Sequence, residues 1–422
     1  MNTLLLIAAV FPIAVGGLLR RVPTRVACRI TMAALLPLVF LALGIWLHPS
    51  RQLLVPHWRL LSMLVAFFSA GFAYHSLKRS PFWPFVQASL ILLVGFLVLL
   101  LLSPIDPVAM VALANLPALL LQFLQPVVGA YAHEPTIGAI HRKPISTVMP
   151  AAPATLLAAV GVSAAFFVPS TSPGELSIGS GGAMGIVVAA LIWQLLIHLF
   201  AGQPNAQMSR TEPPTALATS VWPLQRQVRA ASVAAILLVL FQLRPLINQS
   251  PFTLSVLIIL AASMFIIVGS LLLMERRIIA LLSLMEYVWI GGFLVGLCAP
   301  RWLQVGMERN DLVWIFGFMA FDCWLASRLV NAGEERLNLD TIIGWRFSRA
   351  WDAVWLSILI LGMQFLPVMP ACHFLLRLLA GLAVGHPIIA VLLVAANGTM
   401  LVVAFRVLGA MYLVPSQPRD LK

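Results

Sequence analysis

The sequence predicts an all-α polytopic membrane protein. Of its 422 residues, 61% are hydrophobic and only 9% are charged, and the mean hydropathy is +1.00. Apolar runs of the roughly 20 residues that a helix needs to cross a bilayer recur from one end of the chain to the other. These observations favour a bundle of transmembrane helices over a barrel, and they leave no stretch for a soluble domain.

We expect about 13 transmembrane helices. The predicted spans are residues 3–19, 27–47, 60–76, 83–102, 107–131, 147–168, 183–200, 229–249, 253–273, 278–299, 312–330, 350–369 with a continuation through about 380, and 386–412. The first run lacks a basic start and a small-residue cleavage site, so it is predicted to be a span and not a removed signal peptide.

The net charge of +12 does not indicate a nucleic acid partner, because most of the 26 basic residues fall in alternate short loops. Loops with such an excess of arginine and lysine usually face the cytoplasm. The distribution predicts a multi-pass protein of the cell's inner (cytoplasmic) membrane, surrounded by the lipid bilayer, with the N-terminus outside and the C-terminus in the cytoplasm.

No cofactor, metal or catalytic residue is predicted in this chain. Its four cysteines, at positions 28, 298, 323 and 372, are far apart and form no Cys-x-x-Cys motif. Iron–sulfur and zinc ligation therefore do not fit. The chain also lacks a glycine-rich dinucleotide loop and a P-loop.

Two segments are predicted to be broken helices. One is the proline-containing stretch 201–228, which includes Pro204, and the other lies near 366–380, where Pro367 and Pro370 interrupt an apolar run. Two interrupted segments in the two halves of a polytopic chain point to an ion or substrate pathway built on internal repeats. The alternative is that these prolines only kink or end helices.

Four ionisable residues at membrane depth are candidates for a proton pathway: Glu286, Asp322, Arg377 and His198. Charged groups are costly in the bilayer, so they are normally paired or functional. A pair such as Glu286 or Asp322 with Arg377 would serve a proton relay, or would simply bury two charges at the lowest cost.

Other ionisable residues have plainer interpretations. His75 precedes two basic residues and is expected at the interface, Arg244 lies beside a proline and is expected at a span boundary, and Arg406 falls near the middle of the last span. The only lysines, at 78, 143 and 422, are all in loops or the tail. No lysine is therefore available for a proton relay at membrane depth.

Several segments resemble the antiporter-like proton-translocating membrane subunits of respiratory complex I (NADH-quinone oxidoreductase), a family shared with membrane-bound hydrogenases and multisubunit cation/proton antiporters. Residues 276–286 are similar to its basic pair followed by Leu-Leu-Ala-Tyr-Ser-Ser, and residues 340–346 to its Asp-Leu-x-Gly-Leu loop. Residues 362–377 resemble its Gly-Ile-Pro-Pro break, and the Pro-containing pieces 203–206 and 212–215 resemble its Leu-Pro-Asp-Ala and Ala-Pro-Thr-Pro run. The likeness covers roughly residues 185–412, in order.

This chain departs from the family pattern at the family's charged residues. The family's buried lysine falls at about Trp193, and its glutamate near the fifth span falls in 112–117, where there is no carboxylate. Arg377 stands at a second family lysine. Glu286 stands where the family usually has His or Gln.

The resemblance implies an inverted-repeat antiporter-like bundle, with N-terminal transmembrane helices over 1–180 and the antiporter-like region over 181–422. It implies a divergent proton- or cation-translocating subunit with a degenerate first-half channel. Its partners would be other membrane subunits and a redox module. A chain without a redox centre would be at most one subunit of a proton-translocating oxidoreductase.

Two other functions stay open at this stage. The chain is alternatively a non-pumping structural subunit that has lost the lysines, or a stand-alone ion-coupled secondary transporter. The loss of the family's lysine and glutamate from the first half of the chain favours the structural role. A glutamate at membrane depth argues against complete loss of function, because apolar replacements would cost less.

Overall fold

The computed structural model describes residues 251–298, 309–331, 337–364 and 370–413, together with position 26 and scattered positions between 188 and 248. The described part is helical, and its only bridge of the β type is an isolated one. Its helices, in chain order, are α1 Arg244–Ile247, α2 Pro251–Met274, α3 Ile278–Cys298, α4 Arg309–Asn331, α5 Trp345–Ser348, α6 Ala350–Met363, α7 Pro370–Gly385 and α8 Pro387–Tyr412.

The chain divides into two compact units, Met1–Ser250 and Pro251–Lys422. The first contains α1, which begins at Arg244, and the second contains α2 to α8. Several predictions fall outside the described residues: the region boundary at 180/181, the break at 201–228 with Pro204, and the side chains of His75 and His198.

Among the described residues, α2, α3 and α8 are long and apolar enough to cross a membrane. They coincide with the predicted spans 253–273, 278–299 and 386–412. Buried positions make up 89% of the most apolar window of α3 but only 39% of that of α2 and of α8. Helix α3 is therefore the centre of this unit, and α2 and α8 present broad apolar faces outward, as expected of helices in contact with lipid or other membrane chains.

The connection between α4 and α6 is fixed against the start of α3. Backbone hydrogen bonds join Ile278 N to Leu337 O at 2.8 Å and Leu339 N to Arg276 O at 3.0 Å. Gly344 adopts a φ of 71°, which favours glycine, and its N–H donates to Ala410 O near the end of α8 at 3.1 Å. Residues 337–344, which overlap the motif at 340–346, thus join the start of α3 to the end of α8.

The apolar run predicted as 350–369, with its continuation, is two helices. Helix α6 ends at Met363, Gln364 is extended with φ −80° and ψ 143°, and α7 begins at Pro370. Proline suits the first position of a helix because that N–H has no partner within the helix. Pro370 therefore starts α7, while Pro367 lies outside the described residues.

Candidate functional site

Glu286 lies within α3, the most buried helix of the unit, and is only 5% exposed. Every described neighbour from Leu281 to Cys298 on this helix is also buried. Ser283, one turn earlier, donates its hydroxyl to Ile279 O of the same helix at 3.2 Å. A carboxylate so deep in an apolar helix is costly unless other groups stabilise it or it serves a function.

Asp322 is a second buried carboxylate, in the middle of α4, and it is 0% exposed. Helices α3 and α4 contact each other. The structure therefore places the two acids proposed from the sequence on neighbouring helices of one unit.

Arg377, on α7, forms an ion pair with Asp311 in the first turn of α4. Its Nη2 lies 2.7 Å from Asp311 Oδ1, and the two side chains are 27% and 6% exposed. A carboxylate in the first turn of a helix is also favoured by the positive end of the helix dipole. The sequence pattern suggested Glu286 or Asp322 as partners of Arg377, and it did not indicate Asp311.

Trp289 joins α3, the helix that carries Glu286, to the end of α6. It lies three residues beyond Glu286 on α3, a spacing that puts the two side chains on one face. Its indole N–H donates to Met363 O, at the end of α6, at 2.9 Å. Its ring stacks on Phe374 of α7 with a centroid distance of 6.4 Å and contacts Phe318 of α4 at 6.1 Å.

A second polar contact joins the end of α6 to α8. Gln364 directly follows α6, is 1% exposed, and donates its Nε2 to Met400 O at 3.3 Å. Asn397, three residues before Met400 on α8, has a fully buried Oδ1. Trp289, Gln364 and Asn397 were all missed in the sequence, because amide and indole groups are common in apolar helices and carry no pattern of their own.

Charges outside this cluster stabilise helix ends. Arg406 of α8 donates to Leu273 O near the end of α2 at 3.1 Å, a contact of the kind that satisfies the last carbonyls of a helix. Glu275 binds the guanidinium of Arg277 at 2.9 Å. The hydrogen bond from Arg277 holds the pKa of the Glu275 carboxyl below its ordinary value, and the same contact raises the pKa of Arg277.

This chain is similar to known proteins at the level of structure. No protein-family model and no curated protein sequence matches the chain. A chain of respiratory complex I from Thermus thermophilus, solved with bound aureothin, matches with a TM-score of 0.69 and 17% identity over 99% of this chain and 91% of that one. A chain of the membrane-bound sulfane sulfur reductase, an archaeal respiratory membrane complex, matches with a TM-score of 0.66 and 11% identity over 99% and 89%.

The chain has the fold of membrane subunits of respiratory complexes. A second complex I structure from Thermus thermophilus, with bound NADH, agrees with a TM-score of 0.58 and 15% identity over 97% and 88% of the two chains. The resemblance stated from the sequence motifs is thereby confirmed at the level of fold. The similarity covers 97–99% of this chain.

Proposed function

We propose that this chain is a proton- or cation-translocating membrane subunit of a multisubunit respiratory complex. The observation that carries the proposal is the burial of Glu286 at 5% exposure within α3 of a fold shared with respiratory membrane complexes. Apolar replacement of an idle buried acid would cost less, so its presence favours a function in proton or ion transfer.

The acids and the arginine have different roles in this proposal. Carboxyl groups such as those of Glu286 and Asp322 can take up and release a proton, and their proton affinity responds to neighbouring charges. The guanidinium of Arg377 stays protonated, so it biases that affinity without carrying the proton. In this proposal the acids form the relay and Arg377 supplies a fixed positive charge.

The partners follow from the same reasoning. Since the chain has no sequence signature for a redox centre, the driving energy would come from a redox module, or from another ion gradient, through neighbouring membrane subunits. We propose the inner (cytoplasmic) membrane as its location, with the N-terminus outside, on the distribution of basic loops.

A second candidate is a non-pumping structural subunit, and one observation favours it. Arg377, which stands at the place of a lysine in the resembled family, is engaged with Asp311 at 2.7 Å. An ion pair that joins α4 to α7 contributes to assembly whether or not protons move.

The two candidates are separated by substituting Glu286 in the assembled complex. Glu286→Gln keeps the shape and removes the ionisable group, Glu286→Ala also removes the volume, and Asp340→Asn is a control at an exposed acid. Proton uptake into liposomes would be followed with a pH-sensitive dye, alongside assembly on native gels.

We expect Glu286→Gln to assemble normally and to lower proton translocation by about 100-fold, since a positioned proton-transfer group contributes on that scale. Translocation equal to that of wild type and of Asp340→Asn in an intact complex would rule out the relay. Loss of assembly in both Glu286 variants would support the structural role. A chain that transports ions when purified without partners would instead be a stand-alone transporter.

A further inference from the structure

Helix α6 bears an exposed apolar stripe that is distinct from its packed face. Trp351, Val354 and Ile358 follow one another at intervals of three and four residues, so they lie on one side of the helix. All three are exposed, and Trp351 is 71% exposed. The buried residues of the same helix are Ala353, Leu356, Leu359, Ile360, Gly362 and Met363. The stripe is therefore a surface that the packing of α6 leaves uncovered.

An exposed arginine and a further exposed aromatic residue precede this stripe. Arg346 is exposed, and its guanidinium carbon lies 4.3 Å from the centre of the Phe347 ring. Phe347 is itself 65% exposed. A cation–π contact at this distance is attractive, so it holds the guanidinium beside the aromatic surface. Arg346 thus carries a positive charge at the edge of an apolar surface.

None of the ion pairs in the described part of the chain balances the charge of Arg346. Asp352, in the first turn of α6, pairs instead with Arg328 at 2.6 Å. Arginine binds phosphate oxygens through two parallel N–H donors, and it stacks on aromatic rings at the same time. The charge and the neighbouring stripe are together complementary to an anion that carries apolar chains.

The length of the stripe fits one leaflet of a bilayer. Seven residues separate Trp351 from Ile358, which is about 10 Å along the helix axis. One leaflet contributes about 15 Å of the hydrocarbon core. Tryptophan is enriched at the level of the lipid headgroups. With Trp351 at that level, Val354 and Ile358 lie at the depth of an acyl chain.

Helix α2 provides a comparison within the same unit. Ile259, Ile266 and Leu273 are likewise exposed, and the exposed Arg276 follows the helix. Helix α2 contains no tryptophan, however, and the carboxylate of Glu275 accepts the backbone N–H of Arg276 at 3.0 Å. A negative charge next to Arg276 disfavours a phosphate there. An exposed apolar helix with an arginine at its end therefore does not by itself make the combination found at α6.

We propose that Arg346 and the exposed stripe of α6 bind one anionic phospholipid. The guanidinium of Arg346 binds the phosphate of the headgroup, and Trp351, Val354 and Ile358 contact an acyl chain. A headgroup with a net negative charge, such as that of phosphatidylglycerol, is preferred, because the cation of a zwitterionic headgroup offsets the attraction of the arginine. This inference is independent of proton translocation, since it depends only on charge and exposure at the start of α6.

The first test measures lipid binding to the purified full-length chain in detergent. Phosphatidylglycerol and phosphatidylcholine with the same acyl chains would be titrated separately, and native mass spectrometry would count the bound molecules. The variants are Arg346→Gln, which removes the charge, and Arg346→Lys, which keeps the charge without the planar guanidinium. Arg276→Gln is the matched control, because it removes an exposed arginine beside another apolar helix.

We expect the wild-type chain to bind phosphatidylglycerol more tightly than phosphatidylcholine. Arg346→Gln should weaken the binding of phosphatidylglycerol about fivefold, which is the contribution of one basic residue near an anionic headgroup. Arg346→Lys should weaken it less, and Arg276→Gln should bind like wild type. Excess inorganic phosphate should not displace the lipid, because it makes no contact with the stripe.

A second measurement locates the acyl chain and does not depend on any arginine variant. Phosphatidylglycerol with brominated acyl chains quenches the fluorescence of tryptophans that it contacts. Part of this quenching should be lost in Trp351→Phe, which keeps an aromatic ring at the position. Brominated phosphatidylcholine at the same concentration should quench Trp351 less.

Several results would overturn the inference. Equal affinity for the two lipids, or an equal loss of binding in Arg276→Gln, would mean that α6 has no site of its own. Quenching that is the same in wild type and Trp351→Phe would place the acyl chain elsewhere. Displacement by inorganic phosphate would assign Arg346 to a free anion. A structure of the assembled complex in which another protein chain covers Trp351, Val354 and Ile358 would assign the stripe to a partner subunit.

Discussion

The ion pair between Arg377 and Asp311 allows a quantitative test of how the broken helix is held. The perturbation is a double-mutant cycle with Asp311→Asn, Arg377→Gln and the two changes together, which isolates the coupling between these side chains. The pair joins the first turn of α4 to α7 with an N–O distance of 2.7 Å. The coupling therefore measures the contribution of this pair to holding α7 against α4.

The expected coupling free energy depends on how far the two side chains are buried. Exposed pairs contribute about 0.2–1 kcal/mol, and removing one partner from a fully buried pair costs about 3–5 kcal/mol. Asp311 is nearly buried at 6% exposure and Arg377 is 27% exposed, so the pair lies between these limits. We expect a coupling free energy of about 2 kcal/mol, within the range of about 1.5–3 kcal/mol for hydrogen bonds to charged groups.

The assay is reversible unfolding of the purified chain in mixed detergent micelles. The control cycle uses Arg328 and Asp352, whose N–O distance is shorter at 2.6 Å but whose side chains are more exposed, at 40% and 15%. If burial decides the strength, the control coupling is smaller, about 0.5 kcal/mol once solvent screening is allowed for. Equal couplings for the two pairs, or a larger one for the control, would refute this reasoning.

Two further predictions concern packing and pH. Gly362→Ala should destabilise the chain by about 1–3 kcal/mol, because the added Cβ would lie 2.4 Å from Phe318 Cε1. Gly317→Ala on α4 is the control: its added Cβ meets nothing within 4 Å, so this variant should be neutral or stabilising in the same unfolding assay. Glu275→Gln should be less stable than wild type at neutral pH, since the folded-state pKa of Glu275 is lowered by Arg277. That stabilisation is complete above the ordinary pKa of 4.5 and is lost as the pH falls through the folded value, so unfolding measured at decreasing pH should show the two proteins converge. A constant gap across that range would contradict the assigned role of this ion pair.

The positions of the long apolar helices were predictable because hydropathy and length are local properties of the chain. Helices α2, α3 and α8 begin and end within a few residues of the predicted spans. The break near 366–380 was also predictable. Proline has no backbone N–H, so it interrupts the hydrogen bonds of a helix whatever the tertiary structure. The sequence did not reveal that this run forms two helices, with Pro370 as the start of the second, since a proline within an apolar run is compatible with either a kink or a new helix.

The sequence by itself determined that this is a helical membrane chain with acids inside apolar helices, because each of those properties depends on residues close together in the chain. Only the tertiary structure decided which groups meet: Arg377 with Asp311, Trp289 with the end of α6, Gln364 with Met400 of α8. These partners lie between 36 and 74 residues apart. Their pairing depends on how the helices pack against one another, and no local pattern of residue types records that packing.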